Sequence, residues 1–359
     1  MQIHQVLVTA SPGDASTNSA LELRDLLRQV GPSEVFARYI HPEVADEVRR
    51  LDDYDRLRSS SHSANDLLLF HMSIGEPKVF SFISERPERL VLIYHNISPA
   101  APFMPYDPAF AGLLEEGRRE LAALRDRTVL AVADSQYNAD ELIALGYRDV
   151  RVARLIIDVD RLCAIEPDPE VTAWLDRIEG PVALFVGQLL PHKRPDLLLK
   201  AFHVLVTYHL PTAHLLLVGT NRLPGYSQAL ELFRQELNLG AASFRGALSM
   251  EAWAAHFRRA DAFVTASEHE GFLVPLVESF AFGKPIVARA HAAIPETMGD
   301  AGLLLPPDED PILMAEAMAE VLTNDVLRKD LVERGRDRLE VFDAERARAA
   351  ILGLLLEVV

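Results

Sequence analysis

The chain has little of three things that would each point to a particular function. It contains one cysteine, Cys163, among 359 residues, so it cannot form an internal disulfide, and no metal-ligand pattern includes this thiol. It has no run of about 20 uncharged apolar residues, so we expect no transmembrane helix. Basic charge is also scarce, with 36 Lys and Arg against 53 Asp and Glu and a net charge of −17. Because a nucleic-acid surface needs a basic excess, we expect no nucleic-acid partner.

The same shortage of basic charge limits contact with membranes. Residues 1–165 carry 18 Lys and Arg against 25 Asp and Glu, a net charge of −7. Any membrane contact is therefore expected to be peripheral at most, through a local cluster whose usual role is a solvated helix surface: Arg118, Arg119, Arg125 and Arg127. The first ten residues enter a strand pattern without the basic region and apolar core of a signal peptide, so we expect a cytoplasmic protein.

Apolar residues are plentiful, at 49 %, and predicted strands alternate with helices along nearly the whole chain. In the first half the predicted strands are Val6–Thr9, Leu67–Phe70, Leu90–Tyr94, Val129–Val132 and Val150–Val152. In the second half they are Val182–Val186, Leu215–Val218, Ala262–Ala266, Ile286–Ala288 and Gly302–Leu305. The predicted helices include Ser19–Gln29, Ala109–Leu124, Pro195–Tyr208 and Ser249–Arg259, and the chain ends in Pro311–Leu322, Asp325–Leu339 and Ala344–Val358.

This alternation predicts an α/β fold with parallel sheets covered by helices. The acidic stretch Asp158–Asp168 breaks the pattern and indicates a linker. We therefore predict two Rossmann-like domains, residues 1–160 and 161–342, that face each other across a cleft. Open parallel sheets bind ligands at the carboxyl ends of their strands, so the loops that follow the strands are where site residues are expected.

The segment Ser267–Ala288 carries the strongest functional pattern. It follows a predicted buried strand, and its Pro275 and Gly283 stand where a helix would begin and end. Glu270 lies in the loop before this helix, and Glu278 lies about one turn inside it. A helix start offers free N–H groups to phosphate oxygens, and carboxylates accept hydrogen bonds from sugar hydroxyls. The pattern therefore predicts a site for a phosphorylated, hydroxyl-rich ligand.

Glu-Gly-Phe-x-x-Pro-x-x-Glu, from Glu270 to Glu278, resembles the Glu-x7-Glu signature of family 4 retaining glycosyltransferases, which have the GT-B fold. The resemblance is strong over about residues 180–310 and weaker over the first half. It implies that the last helix, about residues 343–359, crosses back onto the N-terminal domain. It also implies that Glu278 holds the donor's ribose hydroxyls and that Glu270 lies near the transferred sugar. Backbone N–H groups between them would bind sugar hydroxyls and phosphate: Gly271, Phe272, Leu273 and Val274.

A second motif follows the first predicted strand of the second half. Gly187 would permit close approach of a ligand, and Lys193 and Arg194 stand directly before a helix that opens with proline. A cation beside a helix start stabilises a diphosphate both by its own charge and together with the helix dipole. In the resembling family an Arg at the position of Gln188, together with the following Lys, holds the donor pyrophosphate. We therefore expect Lys193 to bind the diphosphate, with Arg194 as the candidate to replace the charge that Gln188 lacks.

Histidines follow two predicted strands of the first half, His71 and His95. A single His after a strand is more often structural, but two at neighbouring strand ends favour a functional role. The resembling family often has a sugar-contacting His here, and His95 fits that position better than His71.

Further candidates stand in glycine-containing loops after two other strands. Gly13 and Asp14 follow the first strand, where the resembling family's loop faces the donor phosphates. We expect the next helix to be capped by one of three hydroxyl or amide residues: Ser16, Thr17 or Asn18. Gly219 and Arg222 follow the strand Leu215–Val218, at a place that the family uses near the nucleotide.

Taken with the resemblance, these residues predict a metal-independent retaining glycosyltransferase with Glu270, His95 and Lys193 as catalytic residues. The expected donor is a nucleotide-diphosphate hexose of the GDP-mannose or UDP-glucose type, with no cofactor. The expected acceptor is a glycan or a lipid-linked glycan in polysaccharide assembly. Two alternatives stay open. One is a nucleotide-sugar epimerase or phosphorylase with the same architecture. The other is a non-catalytic sugar-nucleotide-binding protein, which is favoured by Gln188 at the position of the family's Arg.

Overall fold

A computed structural model of the chain describes residues 2–57 and 66–358. These residues form two compact units. The first, here the N-unit, comprises Met1–Met104, Pro108–Ile156 and Asp343–Val359. The second, here the C-unit, comprises Ile157–Phe342 and the short segment Pro105–Asp107. Within the described ranges, no helix is long and apolar enough to cross a bilayer.

The N-unit is built on a parallel sheet of seven strands with the order β3-β2-β1-β4-β5-β6-β7. Its strands are β1 Ile3–Ala10, β2 Val35–Ile40, β3 Arg49–Arg50, β4 Leu67–Met72, β5 Arg89–Tyr94, β6 Thr128–Ala133 and β7 Val150–Val152. Its helices are α1 Ala15–Leu27, α2 Tyr54–Leu57, α3 Pro77–Glu85, α4 Pro108–Leu124 and α5 Gln136–Ala144. All six residues of β4 are buried, as expected for a central parallel strand with helices on both faces.

The C-unit has a parallel sheet of six strands with the order β10-β9-β8-β11-β12-β13. Its strands are β8 Val182–Val186, β9 His214–Val218, β10 Ala242–Gly246, β11 Ala262–Thr265, β12 Ile286–Arg289 and β13 Leu303–Leu305. Its helices are α6 Val159–Cys163, α7 Pro169–Leu175, α8 Pro195–Tyr208, α9 Pro224–Glu236, α10 Met250–Arg259, α11 Val274–Ala281, α12 Ile294–Met298, α13 Pro311–Thr323 and α14 Asp325–Leu339. Strands β8 and β11 are direct neighbours in the middle of this sheet.

The last helix, α15 (Ala344–Glu357), belongs to the N-unit although it follows the whole C-unit in sequence. Its Ile351 and Leu355 are buried in the same apolar cluster as Leu23 and Leu27 of α1. Burial of this apolar face fixes the helix against α1. The prediction of two parallel-sheet α/β domains with a returning C-terminal helix is confirmed.

The sequence analysis missed three strands and misplaced one connection. Strands β2, β3 and β10 lack a continuous apolar run, and β10 reads Ala-Ser-Phe-Arg-Gly at the edge of its sheet. β3 is also an edge strand, whereas β2 lies between β1 and β3 and its apolar residues are interrupted by Arg38. The predicted linker Asp158–Asp168 contains a helix, α6, which Asp158 caps by accepting a 2.9 Å hydrogen bond from Arg161 N–H.

Candidate functional site

The candidate site of the C-unit lies at the carboxyl ends of β8 and β11. Parallel neighbouring strands end at the same edge of a sheet, so the loops that follow β8 and β11 meet there. The backbone N–H of Glu268, after β11, donates to the carbonyl of His192, after β8, at 2.8 Å. Two segments that are about 75 residues apart in sequence thus become one surface.

Lys193 and Glu270 form a direct ion pair across this surface. Lys193 Nζ lies 2.7 Å from Glu270 Oε1, and the two side chains are 16 % and 9 % exposed. A charge-assisted bond at this depth is little screened by solvent. The structure therefore joins the two residues that the sequence analysis assigned to the diphosphate and to the transferred sugar.

The loop from Glu268 to Leu273 is held by hydrogen bonds from the start and the interior of α12. The carbonyl of Glu270 accepts from Ala293 N–H at 3.2 Å, and the carbonyl of Phe272 accepts from Thr297 Oγ1 at 2.6 Å. The ring of Phe272 also packs edge-on against Phe342, with centroids 5.7 Å apart. These contacts fix the loop from which α11 starts.

Helices α8 and α11 both begin without a side-chain cap. Their N-cap residues are Arg194 and Leu273, with left-handed φ values of 52° and 71°. Each helix has proline in its first turn, at Pro195 and Pro275, where the missing N–H costs no intrahelical bond. Leu197 N–H and Leu276 N–H already donate to the carbonyls of Arg194 and Leu273, at 3.0 and 3.1 Å. Because no side chain of the described chain caps the two helices, the first-turn groups left for an anion are Asp196 N–H and Val274 N–H.

Glu278 lies inside α11, one turn from its start. Burial alone raises the pKa of its carboxyl to about 8, since no cation is among the groups that shift it. Its side chain has no hydrogen bond or ion pair to any described residue. A carboxyl that is desolvated and unpaired can accept hydrogen bonds from a ligand. The vicinal hydroxyls of a ribose are donors of this kind.

Arg194 is occupied in a way that the sequence analysis did not foresee. Its guanidinium bonds the carboxylates of Asp196 at 2.9 and 3.0 Å and Glu309 at 2.9 Å, and it also pairs with Glu268. Three carboxylates thus surround one cation, which argues against Arg194 as the replacement phosphate ligand. Gln188 is exposed, at the position where the resembling family has Arg.

Gly187 and Gly219 bring the ends of β8 and β9 into contact. A Cβ at Gly219 would lie 1.9 Å from the carbonyl oxygen of Gly187, and Gly219 has φ +145°. Only glycine fits such a position. Gly219 was predicted to contact the donor, and the structure shows that it also has a packing reason. Arg222, the other candidate after β9, is exposed.

The two histidines of the N-unit are brought together at the carboxyl ends of β4 and β5. His71 Nδ1 lies 2.8 Å from His95 Nε2. On the far side of each ring, His95 Nδ1 lies 2.8 Å from Asp134 Oδ2, and His71 Nε2 lies 2.8 Å from Gln5 Oε1. Gln5 in turn donates from Nε2 to the carbonyl of Ala20 at 3.0 Å. Both ring nitrogens of both histidines are therefore used inside the N-unit.

The environment of the two rings differs. Burial and the neighbouring His95 hold the pKa of His71 well below its ordinary value. Burial also opposes the charge of His95, but the carboxylate of Asp134, its hydrogen bond and the charge of Asp14 outweigh that, so the pKa of His95 is raised.

Asp14 caps α1, and this corrects the expected cap. Its Oδ2 accepts from Thr17 N–H and from Thr17 Oγ1, both at 2.9 Å. The helix starts at Ala15, so Ser16, Thr17 and Asn18 lie inside it and the prediction that one of them is the cap is wrong. Gly13, with φ +71°, provides the turn between β1 and this cap.

The arginine cluster is neutralised within the N-unit. Arg118 pairs with Glu141, Arg119 with Glu116 and Arg125 with Asp126, whereas Arg127 donates to backbone carbonyls of Arg86 and Glu88. These side chains are the solvated, self-paired face that such clusters usually form.

Sequence reasoning missed two members of the histidine network, Asp134 and Gln5. Asp134 directly follows β6, which neighbours β5 in the sheet, so applying the strand-end rule to a third strand would have found it. Gln5 stands in the middle of β1 and is fully buried. Its only signal was a polar residue inside a largely buried strand, and that signal does not identify a partner.

Comparison with known proteins finds similar sequences and similar structures. Residues 174–338 match the sequence family described as "Glycosyl transferases group 1". The D-inositol 3-phosphate glycosyltransferase of Mycobacteroides abscessus is 28 % identical over 229 residues, which cover 60 % of this chain and 48 % of that protein. The O-antigen chain mannosyltransferase B of Escherichia coli is 27 % identical over 273 residues, 74 % of this chain and 69 % of that protein. The chain spans about half the length of several curated relatives.

Solved structures resemble the chain over nearly its whole length. A sucrose-phosphate synthase from Thermosynechococcus elongatus has a TM-score of 0.78 at 19 % identity and covers 99 % of this chain and 98 % of its own. Anabaena HepE, crystallised with UDP and glucose, has a TM-score of 0.73 at 21 % identity, with 99 % and 100 % covered.

These likenesses establish the GT-B fold. The sequence match itself lies in the C-unit: residues 174–338 are similar to the glycosyl transferases group 1 family, and Lys193, Glu270 and Glu278 all lie within them.

Proposed function

We propose that this protein is a retaining glycosyltransferase that transfers a hexose from a nucleotide-diphosphate sugar, with the donor bound at the carboxyl edge of the C-unit sheet. The observation that carries the proposal is the arrangement at that edge. A largely buried Lys193–Glu270 ion pair, the uncapped starts of α8 and α11 and an unpaired Glu278 lie within residues 174–338, which are similar to the glycosyl transferases group 1 family. Cation and helix starts suit a diphosphate, and carboxyls suit hydroxyls.

Each residue has a proposed role. Lys193 and the first turns of α8 and α11 neutralise the diphosphate as it leaves. Glu278 accepts hydrogen bonds from the ribose. Glu270 binds the transferred sugar and supports positive charge at its anomeric carbon. Backbone groups of Gly271–Val274 bind hydroxyls and phosphate. His95 belongs to the sugar-binding part of the N-unit, with the neighbouring His71.

Retention with no placed nucleophile implies attack from the face that the leaving group occupies. In this proposal the bond from the anomeric carbon to the phosphate oxygen breaks, and the bond to the acceptor oxygen forms on the same face. The acceptor proton passes to the departing phosphate oxygen, so no separate base is needed. This step follows from the resemblance to family 4 enzymes, which also underlies the proposal that no metal is required.

The donor is proposed to be of the UDP-glucose or GDP-mannose type. Anabaena HepE was crystallised with UDP-glucose, and the E. coli relative is named a mannosyltransferase, so both types have support among similar proteins. The acceptor is proposed to be a glycan or lipid-linked glycan of polysaccharide assembly in the cytoplasm. The name of the E. coli relative, which builds an O-antigen chain, supports this choice.

A thermal-shift series with UDP, GDP, dTDP, ADP and their hexose conjugates tests the donor site. We expect one nucleotide series to raise the melting temperature, and Glu278→Ala to abolish that rise. Glu236→Ala, an exposed carboxylate in α9 of the same unit, is the matched control and should keep it. If no nucleotide raises the melting temperature at millimolar concentration, or if Glu278→Ala binds as the parent does, the site assignment is wrong.

A product assay then separates the enzyme classes. With the donor and a pool of glycan acceptors, nuclear magnetic resonance of the product should show the donor's anomeric configuration. A changed sugar without any acceptor would indicate an epimerase, and dependence on inorganic phosphate would indicate a phosphorylase. Donor binding without any turnover would support the non-catalytic alternative that Gln188 raises.

A further inference from the structure

The hydrogen-bond network around His71 and His95 fixes where its protons lie. Ala20 contributes a carbonyl oxygen, which only accepts, so the Gln5 amide nitrogen must face it. The Gln5 amide oxygen therefore faces His71 Nε2 and accepts from it. His71 Nε2 must carry a hydrogen.

The other end of the network is fixed by a carboxylate. Asp134 Oδ2 lies 2.8 Å from His95 Nδ1 and accepts from it, so His95 Nδ1 also carries a hydrogen. One contact remains, the 2.8 Å approach of His71 Nδ1 to His95 Nε2. The angle between the two ring planes is 13° and the ring centroids are 5.1 Å apart, a geometry that suits an in-plane N–H···N bond. This bond needs one hydrogen.

That hydrogen makes one of the two rings an imidazolium. Without it, two lone pairs would face each other at 2.8 Å in a buried site. The charge belongs on His95, because His95 contacts the carboxylate of Asp134 directly, whereas His71 is 1 % exposed and contacts an amide oxygen. Among the described residues, the carboxylate of Asp14 in the β1–α1 loop also raises the pKa of His95 and so favours the same placement.

We infer that His95 is held as an imidazolium between Asp134 and a neutral His71, and that it acts as a fixed positive charge of the glycosyltransferase site instead of as a proton acceptor. Both of its N–H groups are engaged, so it has no lone pair to offer to an acceptor hydroxyl. The His95–Asp134 pair thus resembles a general-base pair in geometry but lacks its open nitrogen. His71 and Gln5 are positioning residues that act through His95.

The directions of the two pKa shifts agree with this placement. The pKa of His71 is lowered by burial and by His95, and the pKa of His95 is raised because Asp134 and Asp14 outweigh burial. A group whose pKa is raised on folding stabilises the fold fully below its unfolded pKa. That contribution is lost as the pH rises through the folded pKa.

Nitrogen-15 spectra of the histidine rings in the full-length protein test the protonation states without any ligand. At pH 7 we expect His95 to show two protonated ring nitrogens and His71 to show a hydrogen on Nε2 alone. Asp134→Asn keeps an acceptor but removes the charge, and it should lower the pKa of His95 by about one to three units. Asp140→Asn, an exposed aspartate in α5, is the matched control and should leave His95 unchanged.

His71→Asn tests the positioning role, because its amide oxygen can replace Nδ1 as the acceptor. We expect His95 to stay charged in His71→Asn and to lose its proton at lower pH in His71→Leu. A neutral His95 or a charged His71 at pH 7 in the parent protein would overturn the inference, as would an unchanged His95 in Asp134→Asn. Thermal unfolding confirms that each variant is folded.

The role of the His95 charge in catalysis rests on the proposed function, and the pH dependence of kcat tests it separately. If His95 is a fixed cation, kcat should fall as the pH rises through the His95 pKa measured by nuclear magnetic resonance. If His95 were a general base, kcat would rise over the same range, and this would refute the role. An absence of transfer with every donor would refute the proposed function, whereas the spectra decide the charge of His95 independently.

Discussion

The two units differ in how the helices begin at the carboxyl ends of their strands. In the N-unit, the helices after β1, β4 and β6 start with side-chain caps: Asp14, Glu76 and Ser135. In the C-unit, the helices after β8, β9 and β11 start at residues whose side chains make no cap bond: Arg194, Leu223 and Leu273.

A side-chain cap uses the N–H groups that a phosphate would otherwise bind. These three N-unit helix starts are therefore satisfied internally, whereas those of α8, α9 and α11 lack a side-chain cap; α10 and α13 of the C-unit are capped, by Ser249 and Asp310. One network of the N-unit and one carboxyl of the C-unit differ in the same way. The N-unit network closes on itself from Asp134 to Gln5, but the Glu278 carboxyl of the C-unit has no described partner. This difference supports the proposal that the donor binds at the C-unit.

Among the variants that test this comparison, the one that removes Lys193 should have the largest effect. Lys193→Ala should lower kcat by about 100-fold or more, because it removes the cation that neutralises the leaving diphosphate. Steady-state transfer assays at saturating donor measure this. Arg194→Gln is the comparison, and since three carboxylates already surround Arg194 its effect on kcat should be much smaller. Equal losses in the two variants would contradict the assignment of Lys193 as the phosphate ligand.

Gly219→Ala should break the contact between the ends of β8 and β9. Its Cβ would lie 1.9 Å from the Gly187 carbonyl oxygen, in a backbone conformation that L residues rarely adopt. We expect a loss of about 3 kcal/mol in the free energy of unfolding. Gly225→Ala, which meets nothing within 4 Å, should change stability by less than about 0.5 kcal/mol. Denaturant unfolding measures the stability of both variants. Similar losses would contradict the requirement for glycine at position 219.

Glu278 should make donor affinity depend on pH. Its pKa of about 8 in the free protein means that the carboxyl holds a proton at pH 7. Ribose hydroxyls that donate to the carboxylate must displace that proton, so affinity should rise up to about tenfold per pH unit below pH 8 and level off above it. Titration calorimetry in buffers of different ionisation enthalpy should detect proton release.

Glu278→Gln should remove this pH dependence and the release. Constant affinity from pH 6 to pH 9 in the parent protein would refute the role of Glu278. The same shift has a consequence for folding. Because the folded pKa lies above the ordinary value of 4.5, the parent should lose stability as the pH rises from about 4.5 to 8, and Glu278→Gln should lose less.

Removing a cap from the N-unit should have the smallest effect. Asp14→Ala should cost about 1 kcal/mol of unfolding free energy, because it leaves an N–H group of the α1 start unsatisfied. Donor binding measured by thermal shift should persist. Asp25→Ala, an exposed aspartate later in α1, is the control for loss of charge near Arg24. A complete loss of donor binding in Asp14→Ala would place the loop after β1 in the donor site instead.

Much of the C-unit site followed from sequence, because its elements are local. Glu270, Pro275 and Glu278 lie within nine residues, and strand, loop and helix start can be recognised in that short stretch. The sequence analysis did not predict the pairing of Lys193 with Glu270, which depends on β8 and β11 being neighbours in the sheet.

The occupation of Arg194 could not be read from sequence. Its partners Glu268 and Glu309 lie 74 and 115 residues away, and each stands in a different loop. Nothing in the spacing distinguishes a cation that awaits a phosphate from one that is already paired. The same holds for Gly219, whose requirement comes from a carbonyl oxygen on a neighbouring strand.

The sequence by itself determined the α/β class, the two-sheet organisation and the local motif around Glu270 and Glu278, since these depend on hydrophobic periodicity and on neighbours along the chain. The tertiary structure decided which charged groups are paired and which stay open. It brought Gln5 of β1 and His71 of β4 together with His95 and Asp134, which follow β5 and β6, in one hydrogen-bonded network. Partner choice depends on distances between strands, and those are set only when the sheets form.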